Sequence, residues 1–346
     1  PTPPPADGDV TLYAYIATWD YNVGGHGNWG PIGRDELDWS TFDVGILFAS
    51  GVGSDGTIDT PTAWANVSPD RINAFVEDAA ANSKKAIMSL GGAGNSDGLF
   101  ASIANVPETL AQNCVDFCRQ WGFDGIDIDA EPTGNVDQAG LVAFASKFKE
   151  LAPDLTLIAA INGGLSAMAA ASQWFDHINY MTYDLSGAWG GWYSWHNAAI
   201  FGPGGPDVTV NIPGSGTEYP NIHSILNRMV AAGIPEEKCG FGISVDGYTW
   251  TGVNAPEQNA AGATRSWAPQ DISVLVANQN ITEWLWDDNA KVSYASPNAD
   301  TFVSVDNGRT IAEKFNYAKE RGIPSIILWK WTEYPEIKNE LKNQIG

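Results

Sequence analysis

Eight strand-like runs alternating with helix-like runs predict an α/β fold, a (β/α)8 TIM barrel with a small α+β insertion between the seventh strand and the last barrel helix. The alternation calls for a parallel sheet. Several runs end in polar or aromatic residues, namely Asp127, Asp129 and Glu131; Tyr183 and Asp184; Asp246; and Trp329 with Trp331. In this fold the active site lies at the C-terminal strand ends. A chain of 346 residues with 44% hydrophobic content also suits one barrel of about 250 residues plus insertions.

The first strand is LYAYIA (12–17) and the second FDVGILFA (42–49). Ser68, Pro69 and Asp70 mark a helix start, with Ile72, Phe75, Val76 and Ala79 at helical spacing. The third strand, KAIMSL (85–90), runs into Gly91 and Gly92. A helix opening near Pro107 aligns Leu110, Cys114, Phe117 and Trp121 and stops at Gly122. The fourth strand is FDGIDIDAE (123–131). A helix with Leu141, Phe144, Ala145, Phe148 and Leu151 leads to LTLIAAI (155–161), a short helix and INYMTYD (178–184). The helix around 222–230 ends at Gly233 before FGISV (241–245). The last helix, with Ile311, Phe315 and Ala318, stops at Gly322 before SIILWKW (325–331).

Period-2 alternation in the fourth strand puts Gly125, Asp127, Asp129 and Glu131 on one face and Ile126, Ile128 and Ala130 on the other. Same-face neighbours sit roughly 6 to 7 Å apart, so the carboxylates feel one another and one of them holds a proton near neutral pH. A proton kept on a carboxyl is what a general acid needs. A solvated antiparallel strand could carry the same ladder, but a parallel strand is normally apolar on both faces, so the carboxylates point to function. Residues 20–40 and 250–307 are too long for ordinary connections and read as walls of a cleft. The second contains TEWLWDD and KVSYAS, enough for the insertion at about 251–307 within a catalytic region spanning 10–346.

With 18 Lys and Arg against 41 Asp and Glu, the net charge of -23 repels nucleic acid and anionic membrane and favours a neutral ligand. No run approaches the ~18 apolar residues of a membrane span. The opening PTPPPADGD (1–9) reads as a Pro-rich linker on a processed or excised product. Cys114, Cys118 and Cys239 give no disulfide framework, and with four His they offer no zinc-ligand spacing. No metal or other cofactor is expected.

These residues resemble glycoside hydrolase family 18, the chitinase family. Asp124, Gly125, Asp127, Asp129 and Glu131 match its DGxDxDxE signature, and Ser89, Gly91 and Gly92 its SxGG motif. Met181, Tyr183 and Asp184 resemble its sixth-strand motif, Trp329 the tryptophan of its last strand, and Tyr15 and Trp19 its first-strand pattern; WHNA around His196 and Asn197 is also familiar. The resemblance implies a retaining, substrate-assisted hydrolysis in which the sugar's 2-acetamido oxygen replaces an enzyme nucleophile. By position it makes Glu131 the general acid/base. Asp129 becomes the partner of the acetamido N–H, and Asp127 shares a proton with it, with Tyr15 and Ser89 as supports. Tyr183 becomes the donor to the acetamido carbonyl, Met181 and Asp184 line the reacting subsite, and Trp329 is its floor. Trp19, Trp189, Trp192, Trp195, Trp250, Trp329 and Trp331 follow strand ends or lie in long loops, where rings either stack on sugars or pack on the core.

Three positions depart from the pattern. Ala93 stands where many relatives carry Trp. Asp246 and Tyr248 replace a Tyr and an Arg, leaving Asp246 as a fourth cleft carboxylate or the cap of a turn. The implied partners are chitin or N-acetylglucosamine oligosaccharides, acted on by a secreted enzyme with a carbohydrate-binding module elsewhere in a longer chain. Other readings are an endo-β-N-acetylglucosaminidase acting on N-glycan cores, a sugar-binding lectin, and a divalent-metal hydrolase.

Overall fold

The computed structural model describes residues 10–21, 32–59, 69–268 and 272–345. The Pro-rich lead, Ser68 and residues 22–31 of the first expected wall lie outside the described residues. Eight parallel strands close on themselves: β1 (Thr11–Ala17), β2 (Val44–Val52), β3 (Lys85–Gly91), β4 (Gly125–Asp129), β5 (Thr156–Ile161), β6 (His177–Tyr180), β7 (Cys239–Ser244) and β8 (Ser325–Trp329). Each pairs with the next, and β1 pairs with both β2 and β8. The (β/α)8 barrel is therefore complete.

Alternation divides each strand between two cores. Tyr13, Tyr15, Ile46, Phe48, Ile87, Ile158 and Ile327 fill the barrel interior. Leu12, Ala14, Ile16, Met88, Leu90, Ile126 and Ile128 face outward into the helical layer. That layer comprises α1 (Pro69–Ala81), α2 (Asp97–Asn105), α3 (Pro107–Trp121), α4 (Gln138–Leu151), α5 (Leu165–Ala171) and α6 (Ile222–Ala231). A short helix, α7 (Ile272–Gln279), lies in the insertion, and α8 (Gly308–Arg321) and α9 (Pro335–Ile345) follow it. The side chains of Asp137, Asn221 and Asn307 cap α4, α6 and α8. Gly122 and Gly322 end α3 and α8 in the left-handed conformation that favours glycine.

Two helices were not expected from the sequence. In α2 the apolar residues do not keep one face, and Pro107 reads as the only start. In α9 just Ile337 and Leu341 are buried, too few to mark a periodic stripe. The sixth strand is shorter than expected, because the chain leaves the sheet after Tyr180 and turns at Asp184, where φ is 57°.

Between β7 and α8 the chain builds a five-stranded antiparallel sheet in the order Thr264–Ala268, Gly247–Thr251, Thr301–Ser304, Val292–Asn298 and Leu285–Asp287. His196, 1% exposed, ties this sheet to the loop after β6 by bonding Asp287 (Nε2 to Oδ2, 2.9 Å). Cys114, Cys118 and Cys239 are buried free thiols, and burial raises the pKa of each. No helix among the described residues is long and apolar enough to cross a membrane.

At the start of α8 a buried ion pair joins Lys314 to Asp306. Burial pushes the lysine down and the carboxyl up, each opposed by the partner's charge. Lys314→Met leaves an uncompensated buried carboxylate, so the variant is expected to lose about 3 to 5 kcal/mol of unfolding free energy in urea titrations at neutral pH. An unchanged midpoint and slope would show that the pair is dispensable.

Candidate active site

The alternation of β4 turns Asp127 and Asp129 into the barrel mouth, and parallel register sets Ser89 beside Asp127 and Gly91 beside Asp129. Asp127 is fully buried, and its Oδ2 accepts two hydroxyls, from Ser89 at 2.7 Å and Tyr15 at 2.9 Å. Burial still pushes its carboxyl up to about 7, against the pull of those two hydroxyls and of the Ala160 backbone N–H. One rung higher, burial and the charges of Glu131 and Asp127 hold Asp129 well above the ordinary carboxylate range. The Oδ1 atom of Asp129 is buried with no hydrogen-bond partner among the described residues. Glu131, just past the strand end, is half-buried, and burial followed by the charge of Asp184 raises its pKa.

The SxGG turn explains how Glu131 is held. Gly91 and Gly92 adopt φ of 101° and 95°, and a Cβ on Gly92 would strike the Phe48 ring. Gly92 N–H donates to the Asp129 carbonyl (2.7 Å). The turn then brings the Ala93 N–H to donate to the Glu131 carboxyl and Ser96 Oγ to accept the Glu131 backbone N–H (3.0 Å). Ala93 thus contributes its backbone, in place of a ring. From the loop after β5, Asn162 Nδ2 donates to Glu131 Oε2 (3.1 Å).

Tyr183 lies close enough to Asp129, Glu131, Asp184 and Asp127 for their charges, after burial, to raise its phenol. Met181 lines the barrel interior beside it. Asp184 is exposed at the mouth, its backbone N–H held by Asn197 Oδ1 (3.0 Å) and its side chain bonded by Tyr248. The Arg265 guanidinium of the small sheet stacks 3.5 Å over the Tyr248 ring and lies 5.8 Å from the Trp189 ring. Trp189 is 48% exposed and meets Trp192 edge-on at 4.5 Å.

Trp329 sits among Phe48 (4.9 Å), Tyr15 (5.6 Å) and Trp19 (6.4 Å). Its indole N–H donates to Asp246 Oδ2 at 3.1 Å. Asp246, 4% exposed, therefore anchors that ring; it is neither an open cleft carboxylate nor only a turn cap. Trp195, Trp250 and Trp331 are no more than 2% exposed and belong to the packing alternative. Among the described residues no group of three or more His, Cys, Asp or Glu is arranged to hold a metal ion.

The cluster therefore offers a proton-bearing acid, a buried acceptor oxygen and an aromatic floor at the barrel mouth. Three of its members, Asn162, Ser96 and Arg265, were not anticipated; Asn197 stands in the WHNA run noted in the sequence, without an assigned role. Ser96 and Asn162 act from the loops after β3 and β5 and Arg265 from a strand of the small sheet, and no local spacing marks them.

A sequence model described as "Glycosyl hydrolases family 18" matches residues 13–333. Chitinase A1 of Niallia circulans is 27% identical over 92% of this chain and 52% of its own length. Endochitinase 1 of Metarhizium anisopliae is 24% identical over 88% of this chain and 79% of its own. The chain thus spans about half of the first relative and most of the second. Among solved structures, the Group IV chitinase of Ostrinia furnacalis superposes with a TM-score of 0.78 at 19% identity, covering 97% of this chain and 100% of that one. A class V chitinase from Nicotiana tobaccum gives 0.75 at 18% identity over 98% and 99%.

The ladder makes stability depend on pH with a definite sign. Asp127 titrates at about 7 when folded, against an ordinary value of 3.8. Between those values the unfolded chain loses a proton that the fold keeps, so this contribution falls as pH rises and is flat above about 7. Relative to wild type, Asp127→Asn should gain stability as pH rises from about 4 to about 7, by up to about 1.4 kcal/mol per pH unit. Urea unfolding of both proteins across that range checks this, and parallel curves would refute it.

Proposed function

Since the chain belongs to glycosyl hydrolases family 18, as the match over residues 13–333 establishes, we propose that it is a chitinase. In this reading it cleaves β-1,4-linked N-acetylglucosamine polymers with net retention. The observation that carries the proposal is the buried Asp129 Oδ1, an acceptor with no donor among the described residues, beside the raised carboxyl of Glu131. A buried acceptor needs a donor, and an acetamido N–H supplies one.

Glu131, protonated, gives its proton to the glycosidic oxygen as the bond to the anomeric carbon breaks. The acetamido carbonyl oxygen attacks that carbon from the opposite face, closing a positively charged oxazolinium ring. Asp129 accepts the acetamido N–H, orients the group, and stabilises the developing charge. Asp127 and Asp129 share one proton, and as the cation forms the proton stays on Asp127 so that the pair's single negative charge rests on Asp129. Tyr183 donates to the acetamido oxygen, Asp184 and Met181 border the ring, and Trp329, fixed by Asp246, forms the floor. Glu131 then takes a proton from water, whose oxygen opens the oxazolinium ring and leaves a β-anomeric product.

The exposed Trp189 and its partner Trp192 suit stacking on further sugars along the cleft. The same proposal places the enzyme outside the cell, where such polymers lie, and leaves room for a carbohydrate-binding module in a longer chain.

Defined N-acetylglucosamine oligomers, with products read by length and initial anomer, test the proposal. Wild type should yield β-anomers, and Glu131→Gln should lower turnover by about a hundredfold or more. Asp129→Asn should also slow hydrolysis with Glu131 intact. Cleavage confined to N-glycan cores would give an endo-β-N-acetylglucosaminidase instead, and α-anomer products would exclude the acetamido route.

A further inference from the structure

We infer that Asn162 is a positioning residue for the catalytic acid: by holding Oε2 it fixes the rotation of the Glu131 carboxyl. The inference rests on the role just proposed for Glu131. Its foundation is a closed set of hydrogen bonds between the loops after β4 and β5. Thr133 N–H and Oγ–H both donate to Asn162 Oδ1 (2.9 and 3.2 Å), and Asn162 N–H donates back to Thr133 Oγ1 (3.0 Å). Tyr180 O–H donates to the Asn162 carbonyl at 2.9 Å. The backbone N–H of Thr133 can only donate, so the amide oxygen must face it and the amide nitrogen must face Glu131.

Nδ2 then donates to Oε2 at 3.1 Å. An oxygen that receives an N–H is held in place and favoured in its ionised form, so this bond both orients the carboxyl and opposes the rise of its pKa. Asn162 is exposed at the cleft rim, so water competes with this bond in the free protein. A sugar covering the rim removes that competition and strengthens the bond when the acid is used.

The other groups acting on Glu131 are known. Asp129 comes from β4, and Tyr183 and Asp184 follow β6. The backbone N–H of Ala93 follows β3. Three of the four are anionic or acidic, so Asn162 and Ala93 are the two that donate to the carboxyl. Losing the Asn162 donor raises the pKa of Glu131, and replacing it with a carboxylate raises it further.

Asn162→Asp keeps the acceptor that Thr133 needs while removing the donor, and Asn162→Ala removes both. Two readouts are compared with wild type: the titration of Glu131 by carbon NMR of glutamate-labelled protein, assigned with Glu131→Gln, and the pH profiles of kcat and kcat/KM on N-acetylglucosamine oligomers. In Asn162→Asp the Glu131 titration and the alkaline limb should move up by roughly one pH unit, more in kcat than in kcat/KM. Asn162→Ala should move them the same way, and its maximal kcat should fall roughly tenfold. Lower melting temperatures with an unmoved titration and unmoved limbs would overturn the inference, leaving Asn162 a loop brace. Should Asn162→Asp not fold, Asn162→Ala is judged by the same criteria. If wild type cleaves no oligomer, the proposed function fails, and the NMR titration still decides whether Asn162 governs Glu131.

Discussion

Asp127 is a carboxyl buried at the centre of a closed barrel, where water cannot solvate its charge. Its donors come from three strands: the Tyr15 hydroxyl on β1, the Ser89 hydroxyl on the neighbouring β3 and the Ala160 backbone N–H on the neighbouring β5. They reduce the cost of the charged form without removing it, and the carboxyl remains poised near 7. Everything above it inherits that condition. A second carboxyl one rung higher cannot ionise freely beside the first, and Glu131 is added to a site already crowded with carboxyls that hold on to their protons. One strand with period-2 alternation thus produces three carboxyls with three different environments.

Those environments differ because the loops differ. Asp127 is served by side-chain hydroxyls from inside the barrel. Asp129 has a buried oxygen without a donor. Glu131 is reached by a backbone N–H from a turn that only two left-handed glycines can make, and by an amide from the next loop. The strands set the spacing of the carboxyls, and the loops after β3, β5 and β6 decide which of them keeps a proton.

Residues whose position follows from strand periodicity were legible in the sequence. The inward set of β4 and the helical stripes of α3 and α4 follow from repeats of two or 3.6 residues, while the support of Asp127 by Ser89 was implied by the resemblance of the motifs. The residues missed are those placed by closure of the chain on itself. Asn162 reaches Glu131 across 31 positions, and Arg265 meets Tyr248 only because two strands of the small sheet pair. Asp246 shows the same limit, since its partner, the Trp329 indole, lies 83 residues away. The loop tryptophans separate only on burial: Trp189 stands in solvent, while Trp195 and Trp250 fill cores of their own.

The small sheet does more than raise one side of the cleft. Ser304 holds the Asn197 backbone N–H at 2.7 Å, and Asn197 in turn holds the Asp184 backbone N–H at a turn with φ of 57°. A displacement of that sheet therefore travels through two hydrogen bonds into a residue beside Glu131. In engineering terms the insertion is not a detachable module. Exchanging it for another wall to change which polymer is accepted would also reset the alignment of the reacting subsite, so a graft must carry Ser304, Asn197 and Asp184 together.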